Sequence, residues 1–446
     1  EGPLSAAEAE RIFAMNRISS DPFSADHDAV HAAASARTVA EVNVEETFGI
    51  DELFFSRTDG RGVIEAYNEI FVRVAGFAGS ELQGAPHKII RHSEMPKAVF
   101  WLLWNGLKQG SPVGAYVKNK TKEGKYYWVF AIASPIEGGG YLSVRLKPSS
   151  PLLDGVQDLY REALDAEKAE DLSPEDSALR LMERIKELGF PTYAMFQAHA
   201  VHQEFEARRV AMHKPQFADL SNINTISDNA AKLRHELNLL SEKFHNAALL
   251  TANMKIFAAK LPVGRSTINE IAKNYDLMLR DIQNHLKTLH VVEEYEGLWE
   301  VSRDQNSFFM LCASHLMEEL CVNFEKEGCL GGKTSKSEET RTLNRLRNDY
   351  KKQSLEAVLH GIQSALTIQR RTEFLRRMIL GLSTIRIACR VEAGMLRDSA
   401  KGLDNIVGRL DGFHDEVEAH LAVIQQAVNA ILKGVDRSIT GQPEAA

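Results

Sequence analysis

The run Pro86-His87-Lys88-Ile89-Ile90-Arg91-His92-Ser93-Glu94-Met95-Pro96-Lys97-Ala98-Val99-Phe100 sets an arginine, two histidines and a glutamate in one short span. Arg91 offers a planar fork of donors suited to a diphosphate or a polarised ring carbonyl. Pro96 opens a predicted helix just beyond, and a helix N-terminus favours anions. Phe100 and Trp104 stand four apart on that helix, so they share a face on which a planar ligand can stack. With His92 and Glu94 at the mouth of the same pocket, the chemistry is non-covalent capture of a flat, partly anionic molecule. The same residue types also suit an apolar core fringed by surface charges, and both readings stay open here.

The flanking elements give the pocket its walls. Leu53–Thr58 reads as a strand, Asp59-Gly60-Arg61-Gly62 as a turn and Val63–Ala66 as the hairpin partner. Asn68 starts a short helix that Gly76 ends, and two shorter helical pieces follow around 79–83 and 86–91. The helix over 96–109 precedes three strands, 115–120, 126–136 and 141–147, joined at Lys122-Glu123-Gly124 and Gly138-Gly139-Gly140. This order predicts an α+β fold: a five-stranded antiparallel sheet roofed by helices, with a pocket between the layers.

Beyond Pro148 the pattern is almost wholly helical, with breaks at Ser173-Pro174 and Gly189-Phe190-Pro191. Ile226, Ala230, Leu233, Leu237, Leu240, Phe244, Ala247, Met254, Ala258 and Leu261 follow a 4-3 spacing that only Thr251 interrupts. A turn at Leu261-Pro262-Val263-Gly264 and a returning helix to Leu289 make an antiparallel hairpin. A glycine-rich loop around 328–337 leads to a second long helical region, and the stretch Thr384–Val391 before Gly394 echoes Asn253–Leu261 before Gly264. The expected divisions are a helical arm over 1–47, the α+β domain over 48–148 and a helical connector over 149–215. After these come a first hairpin over 216–292, a connector and loop over 293–337, a second hairpin over 338–434 and a frayed tail over 435–446. The two hairpins are expected to form one intramolecular four-helix bundle of antiparallel coiled-coil type.

The 446 residues are too many for one ordinary domain. The formal net charge is −8, yet 48–148 holds 13 basic against 9 acidic residues, so the remainder is strongly acidic and argues against nucleic-acid binding. Neither a membrane-length apolar run nor an export signal is visible, which predicts a cytoplasmic protein. Cys312, Cys321, Cys329 and Cys389 match no zinc spacing and read as reduced thiols. No phosphate-binding glycine loop, nucleophile elbow or zinc-protease motif occurs, so an enzyme is not expected. Arg234-His235-Glu236-Leu237 reads as a solvated helix face.

Three spaced motifs carry a family resemblance. The first runs Gly84-x-Pro86-His87, Arg91-His92, Met95-Pro96-Lys97-Ala98-x-Phe100 and Trp104. The second is Val117-Lys118-Asn119-Lys120, Gly124, Tyr127 and Trp128; the third is Asn68-x-x-Phe71-Val72, Gly76-Phe77 and Glu81-Leu82-Gln83-Gly84. Together they resemble the PAS domain of aerotaxis receptors over roughly 100 residues. That resemblance implies noncovalent FAD and a redox or oxygen sensor, whose ring would change charge and hydrogen bonding on reduction. It implies that Arg91 and His92 bind the flavin, with Glu94 in the place of the family's aspartate and Trp104 matching a family tryptophan. Asn68, Asn119 and Trp128 fall on further family positions, and Asn119 would address the isoalloxazine edge from a strand. Val113 replaces a second family tryptophan.

The hairpins resemble a degenerate chemoreceptor tip, which implies a signalling partner on the helical region, such as the chemotaxis machinery, and allows a homodimer. Leu261–Arg265 departs from the family bend. Haem b on His87 or His92 is the alternative cofactor, and a cofactor-free scaffold is a third reading. Cysteinyl-adduct photochemistry is excluded, because no cysteine precedes Cys312.

Overall fold

A computed structural model describes residues 40–215, 217–261, 264–287, 303–326, 330–332, 335–396 and 403–440. The expected helix over 5–36 lies outside them. Residues 42–46, expected as the end of a helical arm, are instead extended chain. Val42 and Glu46 donate backbone hydrogen bonds to the carbonyls of Gly124 and Tyr126 (2.8 and 2.7 Å), which lays this segment beside the turn at 122–124.

The sheet begins with β1 (Phe54–Thr58) and β2 (Ile64–Tyr67). Helices α1 (Glu69–Ala75) and α2 (Gly79–Leu82), a 3-10 turn (His87–Ile90) and α3 (Lys97–Lys108) form the roof. Strands β3 (Val113–Lys120), β4 (Tyr126–Pro135) and β5 (Tyr141–Leu146) complete the expected set. The spatial order is β3-β4-β5-β1-β2-β6, so the sheet has six strands where five were expected. The extra strand, β6 (Gly331–Gly332), pairs with Ala66 and Tyr67. Only glycine fits there: a Cβ on Gly331 would overlap the Tyr67 ring, and Gly332 has φ +136°.

Three helices follow the sheet: α4 (Leu152–Glu170), α5 (Pro174–Glu187) and α6 (Tyr193–Ala211). They were expected as a connector, but they pack on the sensor. Gln197 and Tyr193 of α6 hydrogen-bond the backbone of Pro112 and Gly114 at the β3 edge, which protects that edge from further pairing. Glu204, fully buried, accepts hydrogen bonds from the Tyr116 hydroxyl (2.7 Å), the Ser149 and Ser150 amides and the Ser150 hydroxyl.

The remaining helices are α7 (Ala218–Asn246), α8 (Ala248–Lys260), α9 (Arg265–Lys287), α10 (Arg303–Lys326), α11 (Lys336–Leu396) and α12 (Leu403–Thr440). The 4-3 seam is real: Ile226, Leu233, Leu237, Leu240, Phe244, Met254 and Ala258 are buried. Thr251 belongs to it, buried with its hydroxyl on the Ala248 carbonyl (2.8 Å). Helices α7–α8, α9, α11 and α12 pack as one antiparallel four-helix bundle, as Lys243–Glu416, Phe244–Phe413 and Tyr275–His414 contacts record. His235 is exposed, whereas Glu236 meets His420 at 2.7 Å.

Three expectations about the helical half change. Gly394 is not a bend, since α11 runs through it to Leu396; and α12 continues to Thr440, past the expected start of the tail. Part of the supposed connector, 303–326, is a helix whose Phe324 packs edge-on to Phe55 of the sheet, ring centroids 5.0 Å apart. Pro262, Val263 and Leu289 lie outside the described residues. No helix among the described residues is long and apolar enough to cross a membrane.

Candidate functional site

Strand alternation gives the sheet two faces. The register Asn119↔Tyr127, Ala131↔Arg145 and Phe54↔Arg145 puts Asn119, Tyr127, Ala131, Arg145, Phe54 and Ser56 on the inner face, under α1–α3. The centre of that face carries the small side chains Ala115, Ala131, Ala133 and Ser143, facing the chamber predicted between the layers. Ser143 keeps accessible surface although its strand lies in the middle of the sheet.

The polar wall of this chamber is a cluster around Arg145. Its guanidinium donates to the Ser56 hydroxyl and to His87 Nε2 (2.6 Å), and it lies 4.9 Å from the centre of the Phe71 ring. Because Nε2 accepts, His87 is neutral. Burial holds its imidazole well below the ordinary histidine value, and the Arg145 charge adds to the effect. Arg145 is 2% exposed, forms no salt bridge among the described residues, and has its Nη1 without a hydrogen-bond partner. Burial draws its pKa down to about 10. The Tyr127 hydroxyl, also buried, likewise has no partner, and burial raises its pKa. A buried cation and a buried hydroxyl are each costly without partners, and the described residues supply none to Arg145 Nη1 or the Tyr127 hydroxyl.

The sequence-derived site residues divide around this chamber. Phe100 and Trp104 both keep accessible surface; Trp104 stands edge-on to Tyr141 (5.2 Å) and covers Gly62, where a Cβ would come within 3.1 Å of the indole. Arg91 lies 4.0 Å above the Phe100 ring and donates to the Met95 carbonyl (3.1 Å). Burial lowers its pKa, opposed by the charge of Glu167. The Arg91 and Asn119 backbones pair as an isolated bridge, and Asn119 is 3% exposed on the inner face.

The other four candidates are not brought together there. Asn68 caps α1: its carbonyl oxygen accepts from the amides of Phe55 (3.0 Å) and Phe71 (3.3 Å), and its amide donates to the Leu53 carbonyl (2.9 Å). His92 faces the opposite way, between Glu41 (3.5 Å) and Glu94, with Nδ1 accepting from the Glu94 amide (3.2 Å). Burial lowers its pKa, and the nearby charges act in both directions. Glu94 is exposed and pairs with Lys118 at 2.5 Å, a hydrogen bond that holds its carboxyl below the usual range. Trp128 is on the outer face, tilted against Tyr160 at 6.3 Å, because the register that turns Asn119 and Tyr127 inward must turn Trp128 outward.

Arg145, Tyr127 and Ser56 are chamber residues that sequence reasoning missed. The signal was present in Tyr141-Leu-Ser-Val-Arg-Leu146, where every second residue is apolar and the alternate ones are not. The helix N-terminus expected to bind an anion is already filled. Pro96 supplies no cap, and the amides of Lys97 and Ala98 instead donate to Glu167 of α4 at 3.0 Å each.

Both imidazoles proposed as haem ligands are thus engaged, His87 with Arg145 and His92 with Glu41 and the Glu94 amide. The described residues contain no group of histidine, cysteine and carboxylate side chains able to hold a metal ion.

The PAS fold model matches residues 64–142. Over 120 residues the chain is 42% identical to the aerotaxis receptor of Escherichia coli (strain K12), covering 26% of this chain and 24% of that protein. The chain therefore matches about a quarter of that relative's length. Among solved structures it resembles a light-oxygen-voltage domain studied with a flavin analogue, at 21% identity, 27% of this chain, 89% of that one and a TM-score of 0.21. It also resembles an RNA-binding light-oxygen-voltage receptor, at 15% identity, 27% and 34% coverage and a TM-score of 0.20. Residues 64–142 are a PAS domain, and in this chain it is joined to a mostly helical region.

Proposed function

We propose that the chamber binds a flavin, FAD by its resemblance to aerotaxis receptors, and that the protein is a redox or oxygen sensor rather than an enzyme. The observation that carries this reading is Arg145: a buried cation without a carboxylate partner among the described residues, beside an orphaned hydroxyl and above small side chains of the sheet. These residues fit the group. Arg145, Tyr127 and Asn119 would meet the polar edge of the ring, Phe100 and Trp104 would flank it, and Arg91 would address a phosphate. A bound flavin supplies a change in charge and hydrogen bonding when it is reduced.

The protein's part is to carry that change outward. Strand β1 is suited to this, because its residues alternate between the two faces. Ser56 meets Arg145 inside; the adjacent Arg57 forms a largely buried ion pair with Glu339 of α11 at 2.9 Å outside. A shift of Arg145 thereby reaches α11 through two neighbouring residues, and the bundle would present the result to a partner of the chemotaxis type.

Absorbance of the purified full chain tests the reading. The expected result is the two-band spectrum of a flavin, with FAD released on denaturation. A single intense Soret band, or failure of the apoprotein to take up any flavin on reconstitution, overturns it.

A further inference from the structure

Helix α11 carries two apolar rows. On its bundle side Ala365, Thr372, Leu375, Ile379, Leu382 and Cys389 are buried on a 4-3 grid. Leu359, Leu366, Leu380 and Ile387 stand on a separate seven-residue grid and face water, at 45, 37, 64 and 55% exposure. Leu355 lies four residues before this outer row and Val391 four beyond it, both more than half exposed. Exposed leucines scattered singly are ordinary, but a row on one coiled-coil repeat over about 50 Å of helix is not. Charge marks the same stretch. Although the whole chain has a net charge of −8, α11 holds six arginines and one acidic residue, Glu373, between Leu366 and Val391. Arg386 and Arg390 are paired with Asp411 of α12. Arg370 and Arg377, on the outer row, and Arg376 beside it are exposed and form no salt bridge among the described residues.

We propose that the outer row of α11 is a docking seam for a helix of another protein, one with its own heptad row of apolar residues and acidic residues flanking it. The leucines would seat the partner's apolar row, and the arginines would select its acidic flanks and fix its register. A second copy of α11 does not fit, because arginine would face arginine. A flat anionic membrane does not fit either. The seven-residue grid is the repeat that a partner helix imposes, and Glu373 occupies the grid position between Leu366 and Leu380. The inference rests on the reading above only in taking the bundle as the output surface, and it is independent of the flavin.

The test uses the full chain and two synthetic helical peptides of about four heptads, alike in their leucine row but flanked by glutamate in one and by lysine in the other. Fluorescence anisotropy of the labelled peptides reads binding. The glutamate peptide is expected to bind at least about tenfold more tightly than the lysine peptide, and to weaken about fivefold from low to high salt. Leu380→Gln is expected to lower its affinity about tenfold, and Arg370→Glu with Arg377→Glu to lower it by a similar factor and to favour the lysine peptide. All three positions are exposed, so circular dichroism and melting of the variants should match the parent chain. No binding of the glutamate peptide, or equal binding of both peptides, overturns the inference. Sedimentation with phosphatidylglycerol vesicles that Leu380→Gln abolishes also overturns it, in favour of a membrane. A dimer of the free chain that Leu380→Gln dissociates overturns it in favour of a second copy. A flavin spectrum that persists through any of these results leaves the flavin reading intact, and absence of flavin leaves this inference standing.

Discussion

On the outer face of the PAS sheet, Tyr116, Arg57 and Ser134 each end on a partner from a later helix: Glu204, Glu339 and Tyr350. On the inner face, Arg145 and Tyr127 each hold a polar atom that meets none. The same strands supply both faces, and the side chains alternate between them residue by residue. The outer face is complete without a ligand and behaves as an interface within the chain. The inner face leaves two buried polar atoms without a partner among the described residues, as the proposed flavin site requires. Polar satisfaction, rather than polarity, separates the surface that supports from the surface that receives.

The largest expected effect comes from breaking the complete face. Glu204→Ala leaves the Tyr116 hydroxyl, two amides and the Ser150 hydroxyl without their buried acceptor. Urea unfolding should show a loss of about 3–5 kcal/mol, with flavin affinity per folded molecule unchanged. The incomplete face should respond in the opposite sense. Arg145→Met removes a buried charge that has no counter-ion among the described residues, so unfolding free energy should stay level or rise by about 1 kcal/mol. Flavin affinity should fall about 100-fold in the same variant, equivalent to about 2.7 kcal/mol. Equal losses of stability in the two variants would erase the distinction between the faces.

Acid sharpens the comparison further. Burial depresses His87 and His92, so their folded values lie below the ordinary 6.5 of an unfolded chain. On acidification the unfolded chain takes up the protons first. The stability these groups contribute is therefore complete above about pH 6.5 and is lost as the pH falls below it. A thermal-melting series from neutral to mildly acidic pH should show the decline, and His87→Gln should flatten part of it. The smallest effect belongs to Trp128→Phe. It sits on the outer face against Tyr160, so flavin affinity should change less than twofold, against a much larger loss for Trp104→Ala. A matching loss in both would place Trp128 in the chamber after all.

Much of the fold was legible because its signals are local. Turn residues at 59–62, 122–124 and 138–140 delimit the strands, Asn68 and Gly76 bracket α1, and the 4-3 seam marks the bundle. What was not legible depends on distant pairing. Gly331-Gly332 reads as a loop, and becomes β6 only because Tyr67 and Ala66 offer an edge that side chains would block. Phe324 finds Phe55 across most of the chain. The site was half legible for a related reason. Arg91, Phe100 and Trp104 lie in one local motif, whereas Arg145 faces inward through sheet register. Register also explains Trp128, since Asn119 and Trp128 cannot both face the chamber.

Helix α11 begins at the sensor, where Glu339 grips Arg57, and runs for 61 residues into the bundle. At 1.5 Å per residue its length is roughly 90 Å. Such a rod is a lever with its short arm at the sheet. A tilt of about 2° at the base carries the far end through about 3 Å over that length, more than half a helical turn's rise from a movement too small to disturb the packing at its root. Under the proposed function, mechanical gain of this kind would turn a rearrangement of one guanidinium into a displacement at the distal end.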